Sequence, residues 1–379
     1  MDNPVPSLPP QIPTTPQPGP FASPRHAAAP APQRKGGRGW MILSFLLAFV
    51  LLITWMSGLG RLFKGMGSGG GMAHLDGKMY EVHVVKPSKN GGDEKVALIE
   101  INGIIMSLGG GTHDPVTLIN DQLELASKDE DVKAVILRVD SPGGEVLASD
   151  DIYRAIREFQ KEHKKPVIGC MGSLAASGGY YVSAPCRWIV ANELTLTGSI
   201  GVIMQSINFR GLMDKVGVEP MTFKSGKFKD MLSSTKKPEE ILPEERRMLQ
   251  DLIDEVYGKF QSIVEQGRSE AKSANGSDGR ALVSNWKDYA DGRIFSGKQA
   301  LELGYVDELG TQDTALDRAK KIAGISDATL IKYQPPFDFG NLFKLFGHSE
   351  AKSVKIDIGL DVPRLQLGRL YFISTSVIP

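Results

Sequence analysis

Four short apolar runs, KVALIEI (95–101), KAVILRV (133–139), PVIGC (166–170) and RWIVA (187–191), are rich in β-branched residues and alternate with stretches of helical spacing. Each run is nearly continuously apolar, the pattern of a strand covered on both faces. Between them, 115–128 carries Val116, Leu118, Ile119, Leu123 and Leu125 on one helical face, and 145–160 carries Val146, Ile152, Ile156 and Phe159. A shorter helical candidate spans 175–184. This alternation predicts an α/β domain with helices on both sides of its sheet. Helical stretches over 239–268 and 311–324 close the domain, and no repeat of 20–50 residues is visible.

The chain ahead of this body differs in kind. Residues 1–33 hold 11 of the 23 prolines, so residues 1–39 read as a disordered, partly extended tail. From Trp40 to Gly60 there is no charged residue, and Trp40 and Trp55 stand near the margins of the run. About 20 apolar residues cross a bilayer core, and aromatic residues favour its boundaries. No Ala-x-Ala-like cleavage site follows, so 40–60 is expected to be an uncleaved transmembrane helix. Arg34, Lys35 and Arg38 precede it and Arg61 and Lys64 follow, which favours a cytoplasmic amino terminus and an exported body. Residues 61–93 form a glycine-rich tether and lead-in, with seven glycines between 57 and 72. The balance of 44 basic and 44 acidic residues therefore conceals +5 over residues 1–64 and −5 over the rest. Two cysteines exclude a disulfide framework, and no Cys/His cluster has ligand spacing, so neither metal nor cofactor is expected.

Two glycine-rich turns stand at strand ends, where open α/β sheets gather their ligands. One is Asp140-Ser141-Pro142-Gly143-Gly144; the other runs from Gly172 to Tyr181 and contains Ser177-Gly178-Gly179. Ser177 at a helix start places a hydroxyl beside free backbone amides, the pairing of a nucleophile with an oxyanion hole. Ser173 lacks following glycines and reads as a turn residue. None of the six histidines lies between 164 and 347. A histidine could still arrive through the fold, though nothing in the pattern suggests one, and a lysine can also serve as the base. A lysine base must be held neutral by burial, and Lys227 and Lys229 of Ser225-Gly226-Lys227-Phe228-Lys229-Asp230 both stay open. Cys170, Cys186, Tyr180 and Tyr181 read as packing residues. Paired amides could equally hold a thioester enolate, as in an acyl-CoA enzyme, but no catalytic carboxylate is evident.

SPGG (141–144), GSLAASGGYYVSAP (172–185), LTLTGSIGVI (194–203), FKSGKFKDM (223–231) and DGRIFSGKQALELGYVDELG (291–310) together resemble the bacterial signal peptide peptidase family. The resemblance covers about 94–325. It implies a Clp protease/crotonase-like fold of repeated ββα units and a membrane-anchored serine endopeptidase with a Ser/Lys dyad. Its substrates would be remnant signal peptides and other hydrophobic peptides. By the same resemblance Ser177 is the nucleophile, Lys229 the general base and Ser199 the residue that orients the lysine. Gly144 and Gly178 supply the oxyanion hole, with Gly143 shaping the turn. Homo-oligomers are implied and a nucleic-acid partner is not, with Ser and Lys supplied by one chain. In this family a carboxy-terminal tail can be self-processed and lie in its own site. Residues 326–379 form an extension without an assigned role, in which Ser374-Thr375-Ser376 is the segment that could imitate such a tail.

Overall fold

The computed structural model describes residues 74–75, 79–85, 93–107, 114–335 and 370–373, together with Leu47. The proline-rich tail, the expected transmembrane helix at 40–60, most of the tether and Ser374-Thr375-Ser376 lie outside the described residues. Among the described residues no helix is long and apolar enough to cross a membrane. The chain divides into two units, Met1–Gly69 and Gly70–Pro379, and the sheet and every motif noted in the body belong to the second.

The strands of this second unit are β1 (His74–Leu75), β2 (Met79–Val85), β3 (Lys95–Asn102), β4 (Val132–Ser141), β5 (Gly143–Glu145), β6 (Val167–Ala176), β7 (Trp188–Ala191), β8 (Leu196–Gly198), β9 (Ile294–Ser296), β10 (Glu308–Leu309), β11 (Thr329–Gln334) and β12 (Tyr371–Ile373). The helices are α1 (Pro115–Lys128), α2 (Val146–His163), α3 (Gly178–Ser183), α4 (Arg210–Val216), α5 (Pro243–Asn275), α6 (Gly297–Leu303) and α7 (Gln312–Ala323). The main sheet runs β1-β2-β11-β3-β4-β6-β7-β10. It is parallel from β11 to β10 and antiparallel at β1·β2 and β2·β11.

β3 and β4 are apolar at nearly every position because both of their faces are covered. Ala97, Ile99, Val135 and Leu137 face one core, with Ile119 of α1, Ile152 of α2, Tyr181 of α3 and Phe260 of α5. Val96, Leu98, Ala134 and Ile136 face the other, with Ala315 and Ala319 of α7. Helix α1 starts where the sequence marks it, with Pro115 in the first turn and the Asp114 carboxylate accepting from the Thr117 amide at 3.1 Å.

The structure departs from the sequence reading in several places. Strands β1, β2, β5 and β8–β12 and helices α4 and α6 had no counterpart in it, and the helix expected at 239–268 runs over Pro243–Asn275. The sheet extends beyond 94–325 on both sides, through β2 and β11. The helix placed at 175–184 begins only at Gly178, because β6 continues as strand through Ala176. The continuation has a partner: Ile168–Cys170 pair with β7, whereas Leu174–Ala176 pair with β8. The second half of β6 exchanges β7 for β8 on one edge while Ala175 still pairs with Ser141 of β4, and Ser177 follows at its end.

Candidate active site

Ser177 stands at the junction of β6 and α3. Its amide donates to the Gly198 carbonyl at 2.8 Å, extending the β6·β8 ladder by one residue, while φ of +54° turns the chain sharply into α3. Such a conformation in a non-glycine residue costs roughly 1–3 kcal/mol and persists where its surroundings over-determine it. The Ser177 hydroxyl is buried and has no hydrogen-bond partner among the described residues.

The other turn presses against this one. A methyl group on Gly178 would lie 3.0 Å from the Gly144 nitrogen, and one on Gly144 would lie 1.8 Å from the Ile105 carbonyl oxygen. Gly143 adopts φ +101°, a region open to glycine. The two Gly-Gly pairs thus serve close approach, bringing the backbones at Gly144 and Gly178 together beside Ser177. Ser199 arrives at the same corner because Gly198 pairs with Ala176. It is buried, adopts φ +51° and donates its amide to the Arg293 carbonyl at 2.8 Å.

Lys229 is not brought there. The expectation of a buried lysine fails within one chain: Lys229 is exposed and no hydrogen bond joins it to Ser177. It belongs to an arm, residues 204–242, whose apolar side chains Leu212, Val216, Met221 and Phe223 are themselves exposed. The adjacent Asp230 is held by Lys224 Nζ at 2.7 and 2.8 Å and faces Lys236 Nζ at 3.5 Å, and Lys236 pairs with the buried Glu245 at 2.6 Å. The Lys224 hydrogen bond holds the Asp230 carboxyl below the usual carboxylate range. Lys227 is exposed and pairs with Glu244 at 3.2 Å.

A carboxy-terminal strand also reaches the site, immediately ahead of the Ser374-Thr375-Ser376 stretch expected to imitate a tail. Strand β12 pairs antiparallel with β5, placing Tyr371 opposite Glu145, Phe372 opposite Gly144 and Ile373 opposite Gly143. On its other edge Tyr371 exchanges two backbone hydrogen bonds with Ile203, both 3.0 Å. The segment is therefore an extended strand laid between the SPGG turn and the LTGSIGVI segment. Its sequence signals were the largely apolar LQLGRLYFI (365–373) and the resemblance, which implies a tail that can lie in its own site.

The signature of Peptidase family S49 matches residues 159–326, and that of Clp protease matches 96–187. A protein of Synechocystis sp. named as a protease is 41% identical over 242 residues, 64% of this chain and 79% of that one. A protein of Enterococcus faecium bearing the name signal peptide peptidase SppA is 33% identical over 308 residues, 78% of this chain and 81% of that one. The chain belongs to peptidase family S49. It is a serine endopeptidase with a Clp protease-like α/β fold. Protease 4 of Salmonella typhi is 33% identical over 259 residues, and this chain spans 38% of its length.

The S49 assignment agrees with what the remaining candidates can do. Burial pushes the Cys170 thiol up to about 11 and the Cys186 thiol to about 12, which leaves neither as an available thiolate. Tyr180 donates its hydroxyl to the Tyr305 carbonyl at 2.9 Å, a packing role as its sequence context implied. Tyr181 does more than pack within the core, since its ring meets Phe372 of β12. No group of His, Cys, Asp or Glu among the described residues has the arrangement of a metal site.

Proposed function

We propose that this S49 peptidase is a membrane-anchored endopeptidase with a Ser/Lys dyad. Its substrates are remnant signal peptides and other hydrophobic or unfolded peptides at the exported face of the bacterial cytoplasmic membrane. The observation that carries the reading is the extended segment Tyr371–Ile373, which lies beside Ser177 as a peptide substrate would lie, paired on both edges through its backbone. Main-chain pairing of this kind accepts many sequences, as a degradative peptidase requires.

The chemistry follows from the groups at the corner. Ser177 Oγ attacks the scissile carbonyl carbon while a neutral Lys229 takes the hydroxyl proton. The Gly144 and Gly178 amides hold the oxyanion of the tetrahedral intermediate. The C–N bond then breaks, Lys229 returns the proton to the leaving amine, and water, deprotonated by the same lysine, hydrolyses the acyl-enzyme. Ser199 orients the lysine.

Because Lys229 is exposed in its own chain and the Ser177 hydroxyl has no partner there, we place the base in a neighbouring chain of a homo-oligomer. Burial of the arm's apolar face, where Phe223 is 89% exposed, against that neighbour would supply the desolvation that a neutral lysine needs. The apolar run at 40–60 would anchor the assembly at the membrane.

The decisive experiment combines a serine-directed covalent label with mixed assemblies. Wild type should label and cleave, and Ser177→Ala and Lys229→Ala should each be inactive. Co-expression of the two variants should restore part of the activity, since a mixed oligomer contains intact Ser177 beside intact Lys229. Labelling that persists in Ser177→Ala overturns the mechanism, and a mixed assembly without activity overturns the shared site.

A further inference from the structure

We infer that the enzyme selects an aromatic side chain at the residue whose carbonyl is attacked, with Tyr181 and Phe260 setting that preference. The inference rests on the endopeptidase reading and adds the substrate class that its groove accepts.

The register of β12 identifies the bond presented to Ser177. The Val146 amide donates to the Leu370 carbonyl at 3.3 Å. An antiparallel ladder alternates its bonded pairs every two residues, so the next amide donated from this edge is that of Gly144, to the Phe372 carbonyl. The intervening Glu145 amide faces the other way and donates to Ile105 at 2.7 Å. A methyl group on Gly143 would lie 1.9 Å from the Phe372 oxygen and 2.6 Å from the Gly178 nitrogen. The Phe372 carbonyl therefore sits at the Gly144/Gly178 corner, and the bond aligned for attack is Phe372–Ile373.

The Phe372 ring enters a pocket that suits an aromatic side chain. It is fully buried, stacked on Tyr181 at 4.7 Å and 26° and tilted against Phe260 at 4.8 Å. Tyr181 also meets Phe260 at 4.9 Å and Tyr153 at 5.5 Å, edge to face in both cases. Tyr181 cannot swing aside freely, because its hydroxyl donates to Asp150 Oδ1 at 2.7 Å. A flat ring between two fixed rings gains stacking and edge contacts that a branched aliphatic chain of similar volume does not reproduce. Phe260 comes from α5, and Tyr181 lies one helical turn after Ser177, so the pocket is fixed relative to the nucleophile.

The test uses full-length enzyme in detergent and quenched peptides built on Leu-Tyr-X-Ile, with X as Phe, Leu or Ala. The cut should fall after X, with kcat/KM for Phe about 10-fold above Leu and on the order of 100-fold above Ala. Phe260→Leu, a mild change within the core, should lower the Phe/Leu ratio, and Phe260→Trp should narrow the pocket and lower the Phe/Ala ratio. Equal kcat/KM for the three wild-type substrates, cleavage at another bond, or unchanged ratios in both variants overturns the inference. If no peptide is cut although the serine-directed reagent labels Ser177, this inference fails and the endopeptidase reading stands. If labelling is also absent, both fail together.

Discussion

The Ser177 amide donates to the Gly198 carbonyl at 2.8 Å, and this one bond aligns the two loops that carry Ser177 and Ser199. Ser177 follows β6 and Ser199 follows β8, parallel strands paired through Ala176 and Gly198. Both serines leave their strands at positive φ, +54° and +51°. The parallel ladder thus delivers two hydroxyl-bearing residues, 22 positions apart, to one corner of the domain.

Replacing Ser177 with Ala should abolish catalysis while leaving the fold intact. Loss of a nucleophilic serine typically costs 10⁴-fold or more in turnover, roughly. The hydroxyl lacks a hydrogen-bond partner and is buried, so its removal leaves no orphaned group behind. Thermal unfolding of Ser177→Ala should therefore match or exceed that of wild type. A marked drop in Tm would mean that the hydroxyl has a structural role.

Gly144→Ala should be damaging in both respects. The added methyl would lie 1.8 Å from the Ile105 oxygen and 2.7 Å from the Ile105 nitrogen, so β5 must move. Overpacking of a backbone contact costs about 1–3 kcal/mol, and displacing an oxyanion donor costs about 10²–10³ in rate. Chemical denaturation and peptide turnover measure the two losses; a variant with native values for both would remove Gly144 from the site.

Alkaline pH should weaken the fold through the buried thiols. Burial raises Cys170 to about 11 and Cys186 to about 12 in the folded protein, above the ordinary thiol value of the unfolded chain. The unfolded state releases these protons first, so stability is fully present below the ordinary thiol range. It then declines as pH rises toward 11–12. A Cys170→Ala/Cys186→Ala variant should show a flatter stability profile from about pH 8 upward. Native enzyme at neutral pH should resist alkylation and keep its activity in iodoacetamide.

The carboxy-terminal strand should act as both competitor and substrate. Truncation before Leu370 vacates the groove, and turnover of short peptides should rise. If the enzyme processes its own tail, intact mass should show wild type ending at Phe372 and Ser177→Ala retaining its full 41.2 kDa chain. Identical carboxy termini in the two proteins would exclude self-processing.

Much of this protein is written in local pattern. Continuous apolar runs mark β3, β4, β6 and β7 because strands buried on both faces need apolar residues at every position. Helical spacing marks α1, α2, α5 and α7, and the Gly-Gly pairs mark the turns where backbones approach. Periodicity and turn chemistry extend over only a few residues, and there they were sufficient. Three features depended on contacts between distant segments. β6 outlasts its expected end because β8, some 20 residues later, offers Leu196–Gly198 as a partner. Lys229 stays exposed because burial depends on what packs over the arm, which no local pattern encodes. Phe372 meets Gly144 across more than 200 residues, where backbone pairing and ring packing select a partner by shape rather than by spacing. The sequence by itself determined the four doubly covered strands, the longer helices and the family. The tertiary structure alone decided what lies in the groove and which side chains reach it, because those contacts exist only once distant segments have been brought together.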